Sequence, residues 1–120
     1  MPRGPLRAVP AERPRLAPWQ VWDVDFDPQV GREQSGRRPA IVVASRFACT
    51  ALRSLVIVVP CTSTLRDLPF QPRVNLARPS AALCDQVKSI SVDRLVRLLP
   101  TTLTPDEIAE VRFAVRRMFA

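Results

Sequence analysis

The sequence predicts a mainly β fold of the α+β class: a small β-barrel with one helix packed on it. Short apolar runs, either β-branched or alternating with polar residues, recur through the middle of the chain, and a well-delimited helix follows them. The chain has 120 residues, 47% of them hydrophobic. This size and composition indicate one compact domain with a single core.

The N-terminal segment, residues 1–18, contains five prolines. Proline removes a backbone donor and fixes φ, so this density disfavours both a helix and a central strand. We therefore expect a disordered Pro/Arg-rich extension, whose simplest interpretation is a passive tail. The folded domain is then expected to cover residues 19–120.

The first strand is predicted at residues 20–26. Trp22, Val24 and Phe26 alternate there with acidic residues, which is the period-two pattern of a strand with one buried face. We expect Trp22 and Phe26 to belong to the core. The acidic residues between them are expected on the solvated face.

Further elements follow from short apolar segments bounded by turn residues. Continuous β-branched runs predict buried strands at residues 40–44 and 55–60. Additional short strands are expected at 72–76, 82–84 and 87–91, and a short helix at 93–98.

The C-terminal helix carries the clearest local signal. Thr104 is the expected N-cap, Pro105 stands in the first turn, and Glu107 follows the cap by three residues. This arrangement is a capping box. Four apolar residues then form one helical stripe: Ile108, Val111, Val115 and Met118.

Charge and reactive side chains limit the possible functions. The net charge is +7, and 17 of the 18 basic residues are Arg, which favours an anionic partner, although coding bias toward Arg explains the same count. The chain has no histidine, so His-based catalysis and His metal ligands are excluded. Cys49, Cys61 and Cys84 form no CxxC pair and are expected to be reduced core thiols. We expect neither a metal nor a cofactor.

The N-terminus has no apolar leader segment, and the apolar run at residues 55–59 is too short to span a bilayer. From the sequence we expect no membrane association and a cytoplasmic location.

Three ordered segments carry a family resemblance: DFDPQVGREQSGRRPAIVV at 25–43, VVPCTSTLRDLPF at 58–70 and ALCDQVKSI at 82–90. Together they resemble the MazF/PemK family of toxin endoribonucleases. The resemblance covers the chain from about residue 22 to the last helix. It implies an SH3-like β-barrel (MazF/Kid/CcdB-like) that forms a two-fold homodimer, and a type II toxin held in check by a cognate MazE-like antitoxin.

The resemblance also implies the activity and its residues. It implies sequence-specific, metal-independent cleavage of single-stranded RNA, which inhibits translation and growth. Arg38 matches the family's functional arginine and Thr62 its functional threonine. An arginine remains protonated, so Arg38 is suited to bind phosphate oxygens as negative charge builds up and is a poor general base.

Glu33 is a secondary catalytic candidate. Its carboxylate could accept the 2′-hydroxyl proton, but an ordinary glutamate pKa of about 4.3 makes it an inefficient base unless desolvation raises that pKa. The alternative is that Glu33 holds the loop by pairing with Arg32 or Arg37. Thr62, in turn, has the alternative role of capping a loop through backbone hydrogen bonds.

Recognition of single-stranded RNA requires stacking surfaces and groups that hydrogen-bond to base edges and phosphates. Gln86 and Lys88 are two residues apart and would share one face of a strand. The full set of expected RNA-binding residues is Asp27, Pro28, Gln34, Arg37, Ser63, Thr64, Arg66, Phe70, Gln86 and Lys88.

Two other functions remain open from the sequence. The expected barrel also resembles the CcdB toxins, which bind DNA gyrase and cleave nothing, although the loop at 27–38 and the PCTST motif favour the nuclease. A catalytically weak paralogue that only binds RNA or antitoxin is the second. At the start of the first strand, this chain departs from the family pattern: Pro18, Trp19 and Gln20 stand where family members commonly carry a glycine.

Overall fold

The computed structural model describes residues 15–26 and 36–120. Seven strands and two α-helices make up this part of the chain. The strands are β1 (Val21–Asp25), β2 (Arg37–Val42), β3 (Leu55–Thr62), β4 (Arg73–Leu76), β5 (Arg78–Ala82), β6 (Lys88–Ser91) and β7 (Leu95–Leu98). The helices are α1 (Arg46–Ala51) and α2 (Pro105–Arg116), and two 3₁₀ turns cover Cys84–Gln86 and Val92–Arg94.

The strands form one antiparallel sheet in the order β4-β5-β3-β2-β1-β7, with β6 paired to β3 beside this path. Neighbouring β1, β2 and β3 are paired through Val21 with Ile41 and Ile41 with Val59. Within residues 15–26 and 36–120, no pairing joins β7 to β4 or β6, so the strands do not close into a ring. The α+β class with a C-terminal helix is confirmed.

Alternating residues of the strands feed two hydrophobic clusters. Val21, Ile41 and Val59 belong to one cluster, together with Val111 of α2. The other faces of the same strands build a second cluster, which contains the buried side chains of Trp22, Val24, Phe26, Ala40, Val42, Val56 and Val58. The predictions that Trp22 and Phe26 are core residues are therefore confirmed.

Helix α2 begins as predicted. Thr104 Oγ1 accepts from Glu107 N at 3.1 Å, and Glu107 Oε1 accepts from Thr104 N at 2.9 Å. The second carboxylate oxygen of Glu107 accepts from Asn75 N at 2.7 Å, which ties the start of the helix to β4. The predicted stripe is wrong at Met118, which is 40% exposed and follows the last helical residue, Arg116.

Two local predictions need correction. The strand expected at 82–84 is β5, which begins earlier at Arg78. Its proline, Pro79, is paired only with Asn75 of β4, because β3 reaches β5 no further than Ala81. A proline is tolerated where a strand has a single partner.

The helix expected at 93–98 is a 3₁₀ turn followed by β7. Ser91 Oγ accepts from Asp93 N at 3.1 Å and caps the turn, and pairing with β1 then holds the chain extended. Helix α1, capped by Ser45, was not predicted from the sequence.

The segment before β1 contacts the domain. Leu16 packs against the second cluster, and Trp19 N donates to Val42 O at 2.7 Å. Gln20 Oε1 accepts from Trp22 Nε1 at 2.9 Å and from Ala17 N at 3.1 Å. The rest of the expected extension, residues 1–14, lies outside the described residues.

In the part of the chain that the structure describes, no helix combines the length and the apolar character needed to cross a membrane.

The cap of α2 gives a first testable expectation. Replacing Thr104 with alanine removes the acceptor for Glu107 N and should lower the free energy of unfolding by about 1 kcal/mol. Thr102→Ala, at an exposed threonine two residues earlier, is the matched control and should change stability little. Urea denaturation at one fixed protein concentration measures both. Equal stability of the two variants would contradict the capping role.

Candidate active site

An open cavity of about 350 Å³ lies where β3 leaves β2 and joins β5. Ala40 of β2 pairs with Pro60 of β3, so continuing the antiparallel register by two residues would set Arg38 opposite Thr62. Thr62 instead pairs with Ala81 of β5. The two strands therefore diverge, and the cavity occupies the space between them. The described residues lining it are Arg37, Arg38, Pro39, Cys61, Thr62, Ser63, Leu76, Arg78 and Ser80.

The Arg38 guanidinium is the most unusual group at this cavity. Its Nε atom is buried and has no hydrogen-bond partner among residues 15–26 and 36–120. A buried donor of a charged group is costly to leave unmatched. An anionic oxygen entering the cavity would supply the missing acceptor.

The Thr62 hydroxyl has a defined orientation. Its oxygen accepts from Thr64 N at 3.1 Å, which is the loop-capping bond considered from the sequence. A hydroxyl that accepts one bond still has its own hydrogen to donate. Capping and donation to a substrate oxygen are thus compatible in one side chain.

Charge at the cavity is strongly positive. Three arginines line it, Arg37, Arg38 and Arg78, and none of the described lining residues is acidic. Arg37 Nη2 is partly compensated, because it donates to Asp23 Oδ2 at 3.0 Å. Asp23, which the sequence predicts on the solvated face of the first strand, therefore forms an ion pair with Arg37.

The thiols are poorly suited to nucleophilic chemistry. Burial raises the pKa of Cys61, with a further contribution from the neighbouring Cys84, so the thiol at the cavity stays protonated. Burial likewise raises the pKa of Cys84 to about 12. Within the described ranges, no three His, Cys, Asp or Glu side chains are grouped so that they could hold a metal.

Some of the expected RNA-binding residues lie at this cavity and others do not. Arg37 and Ser63 line it, and Thr64 contributes the amide bound to Thr62. Arg66 is exposed in the following loop and is not a lining residue. Phe70 lies in a separate small pocket against the end of α2, beside Ala114. The structure therefore does not place Phe70 together with Arg38.

Gln86 and Lys88 do not share a strand face as predicted. Gln86 ends a 3₁₀ turn, and the strand begins only at Lys88. The Lys88 Nζ atom lies 5.5 Å from the centroid of the Phe26 ring, a cation–π distance. Neither residue lines the cavity.

The predicted site residues Asp27, Pro28, Glu33 and Gln34 lie outside the described residues. The structure therefore describes only the two ends of the predicted loop, at Phe26 and Gly36. These ends are joined by a hydrogen bond from Phe26 N to Gly36 O of 2.9 Å.

Sequence reasoning missed Arg78 and Ser80. Both are at the cavity because β5 begins at Arg78, four residues before the strand predicted at 82–84. With 17 arginines in the chain, composition alone did not distinguish Arg78 from the others.

Burial of the thiols predicts alkaline instability. Above the ordinary cysteine pKa of 9.0, unfolded thiols ionise while Cys84 remains protonated up to about 12. The free energy of unfolding should therefore fall as the pH rises through this window. The chain has no Tyr and one Lys, so few other groups titrate there. Denaturation of wild type and Cys84→Ala at about pH 8 and pH 10.5 should show a smaller decrease in the variant; an equal decrease would contradict the assignment.

Comparison with known proteins places this geometry in context. Residues 17–119 match the family described as PemK-like, MazF-like toxin of type II toxin-antitoxin system. The endoribonuclease toxin MazF of Escherichia coli K12 is 37% identical over 93 residues, which cover 77% of this chain and 82% of that protein. The endoribonuclease MazF9 of Mycobacterium tuberculosis is 36% identical over 88 residues, covering 65% of this chain and 75% of the relative.

Solved structures agree with the sequence matches. The crystal structure of MazF from Deinococcus radiodurans superposes with a TM-score of 0.70 at 31% identity, covering 85% of this chain and 93% of the other. A MazE-MazF structure from the same organism has a TM-score of 0.66 at 32% identity, with coverage of 85% and 92%. The family match spans most of the chain, and the chain therefore belongs to the PemK-like, MazF-like toxins of type II toxin-antitoxin systems.

Proposed function

We propose that this chain is a metal-independent endoribonuclease that cleaves single-stranded RNA at specific sequences and thereby inhibits translation and growth. The observation that carries the proposal is that Arg38, whose Nε–H is buried without a partner in the described chain, and Thr62 line the same open cavity. That cavity attracts anions, because three arginines line it. The relatives from Escherichia coli and Mycobacterium tuberculosis, named endoribonucleases, support the same activity.

The reaction needs no nucleophile from the protein. The ribose 2′-hydroxyl attacks the adjacent phosphorus, the bond from phosphorus to the 5′-oxygen breaks, and that oxygen takes up a proton. The products are a 2′,3′-cyclic phosphate and a 5′-hydroxyl. The protein accelerates this step by holding the 2′-oxygen in line and by binding the charge that develops on the phosphate.

In this scheme, Arg38 donates to the non-bridging phosphate oxygens, and its buried Nε–H finds its acceptor there. Thr62 donates its hydroxyl hydrogen to the same phosphate, while Thr64 N holds the hydroxyl oxygen. Glu33 remains the proposed secondary residue that accepts the 2′-hydroxyl proton. Because an ordinary carboxylate is a weak base, we expect slow turnover that depends mainly on positioning.

The other proposed RNA contacts divide by position. Arg37 and Ser63 line the cavity, and we propose that they contact nucleotides bound inside it. The expected residues that do not line the cavity are proposed to contact RNA that extends beyond the cleaved bond: Thr64, Arg66, Phe70, Gln86 and Lys88. Asp27, Pro28 and Gln34, on the loop at 27–35, complete the proposed set.

We further propose a cytoplasmic homodimer silenced by a MazE-like antitoxin. The related Deinococcus radiodurans toxin was solved as a MazE-MazF structure. An acidic, extended antitoxin tail would complement the arginine-lined cavity and exclude RNA by covering Arg38. Competition between a short RNA and the antitoxin tests this: simultaneous binding at undiminished affinity would rule out steric inhibition. We propose residues 1–18 as a passive extension of the toxin domain at 19–120.

Incubation of the purified chain with total cellular RNA, followed by mapping of the new 5′ ends, tests the nuclease proposal. We expect ends that share a short sequence motif and carry a 5′-hydroxyl. The Arg38→Ala variant, purified in parallel, controls for contaminating ribonuclease. Intact RNA together with inhibition of gyrase supercoiling would overturn the proposal in favour of a CcdB-like poison. Intact RNA that is nevertheless bound would indicate a catalytically weak paralogue.

A further inference from the structure

A tight hairpin brings Arg78 to the cavity. Leu76 of β4 pairs with Arg78 of β5, so Ala77 alone makes the turn, with a φ of +71°. This left-handed conformation is unfavourable for a residue with a Cβ atom. Ser80, which is 5% exposed, donates its hydroxyl to Arg78 O at 3.1 Å. The start of β5 is thus held in one conformation, with Arg78 and Ser80 on the same strand face.

Arg78 also differs in charge compensation from nearby arginines. Arg73, on the same hairpin, forms an ion pair with Asp67, and Arg37 forms one with Asp23. Among residues 15–26 and 36–120, no carboxylate forms an ion pair with Arg78. Its positive charge therefore remains uncompensated at the cavity within this part of the chain.

Arg78 and Arg38 belong to strands on opposite sides of the strand that carries Thr62. Strand β3, which carries Thr62, lies between β2 and β5. Ala81 is the β5 partner of Thr62, and Arg78 precedes it by three residues, about 10 Å along an extended strand. Arg38, by contrast, belongs to β2, on the other side of β3. The backbone positions of the two arginines are therefore well separated along the cavity, which suits contacts with different phosphates of one RNA strand.

On the basis of the proposed ribonuclease function, we propose that Arg78 binds a backbone phosphate adjacent to the scissile one. Arg38 and Thr62 act on the phosphate that is cleaved, and Arg78 fixes the course of the RNA on the β5 side of the cavity. Arginine matches phosphate through two parallel N–H donors. A contact of this kind strengthens binding at every sequence and leaves the choice of cleavage motif unchanged.

Salt dependence of binding tests the phosphate contact. The ligand is a cleavage-motif oligonucleotide made non-cleavable by a 2′-deoxy sugar at the cut. Arg78→Gln should weaken binding about tenfold, and the slope of log affinity against log salt should drop by about 0.7, the value for one phosphate on a single strand. Arg78→Lys keeps the charge and should retain the slope. Arg73→Gln, on the opposite face of the same hairpin, is the matched control and should match wild type.

A phosphate-by-phosphate series identifies the contact. In each oligonucleotide, one phosphate is replaced by a neutral methylphosphonate. At the position that Arg78 binds, the replacement should weaken wild type but not weaken Arg78→Gln any further. We expect that position to be next to the cut. Equal losses in both proteins at every position would overturn the assignment, and so would a changed cleavage motif in Arg78→Gln, which indicates base reading.

Failure of this inference is distinguishable from failure of the proposed function. If wild type neither binds nor cuts RNA, the ribonuclease proposal is wrong and the role of Arg78 falls with it. If wild type binds and cuts while Arg78→Gln and Arg73→Gln keep the same affinity and slope as wild type, only the Arg78 contact is wrong.

Discussion

Replacing Arg38 with alanine is expected to lower the cleavage rate by about 10² to 10³, the typical cost of losing one donor aimed at developing charge. The same change should not lower the free energy of unfolding. The Nε–H it removes is buried and unmatched within the described chain, so the fold loses no hydrogen bond from that atom. Single-turnover cleavage of a motif oligonucleotide and urea denaturation measure the two effects separately.

Arg38→Lys provides a graded control, because it keeps the positive charge and loses the planar pair of donors. We expect a rate between those of wild type and Arg38→Ala. If Arg38→Ala cleaves RNA at the wild-type rate, Arg38 is not a catalytic residue. A large loss of stability in that variant would instead make Arg38 a structural residue.

The hydroxyl of Thr62 is tested by a matched pair of substitutions. Thr62→Ser keeps the hydroxyl, whereas Thr62→Val keeps the branched shape and removes it. If the hydroxyl binds the phosphate, only the valine variant should lose activity, by about 10². If both variants cleave at the wild-type rate, the hydrogen bond from Thr64 N to Thr62 Oγ1 is the whole role of that oxygen.

A 2′-deoxy sugar on the nucleotide 5′ to the cut is expected to abolish cleavage completely, because it removes the nucleophile itself. A 2′-O-methyl sugar at the same position should have the same effect. Both oligonucleotides should still bind, since the phosphates that meet Arg38 and Arg78 are unchanged. Gel analysis of end-labelled oligonucleotides measures cleavage, and competition against the all-ribose substrate measures binding.

The matched control carries the deoxy sugar one nucleotide 3′ to the cut, where cleavage should persist. Cleavage should also persist in excess chelator and leave a 2′,3′-cyclic phosphate, because the proposed step uses no metal. Efficient cutting of the oligonucleotide with the deoxy sugar at the cut, or loss of activity in chelator, would exclude attack by the internal 2′-hydroxyl.

Local sequence signals were sufficient for much of the fold. The capping box at Thr104 and Glu107 and the alternation around Trp22 depend on residues a few positions apart, and the structure confirms both. Hydrogen bonds of the first helical turn and the up-and-down geometry of a strand are short-range, so a sequence pattern reports them directly.

Sequence signals failed where a distant strand decided the conformation. Residues 95–98 read as part of a helix, yet Leu95–Leu98 is β7 because it pairs with β1. Arg78 to Ser80 lie outside the strand predicted at 82–84, yet pairing with β4 extends them. Residues remote in sequence provide the hydrogen bonds across a sheet. The free energy contributed by this pairing outweighs a weak local conformational preference.

By itself, the sequence determined the fold class, the absence of histidine chemistry, and Arg38 and Thr62 as candidates through the family resemblance. Only the tertiary structure decided that these two side chains share a cavity, that Phe70 lies elsewhere, and that Arg78 joins them. The physical reason is that β3 changes its pairing partner after Pro60, from β2 to β5. This change of partner depends on the register of residue pairs 16 to 21 positions apart in sequence, which no local pattern encodes.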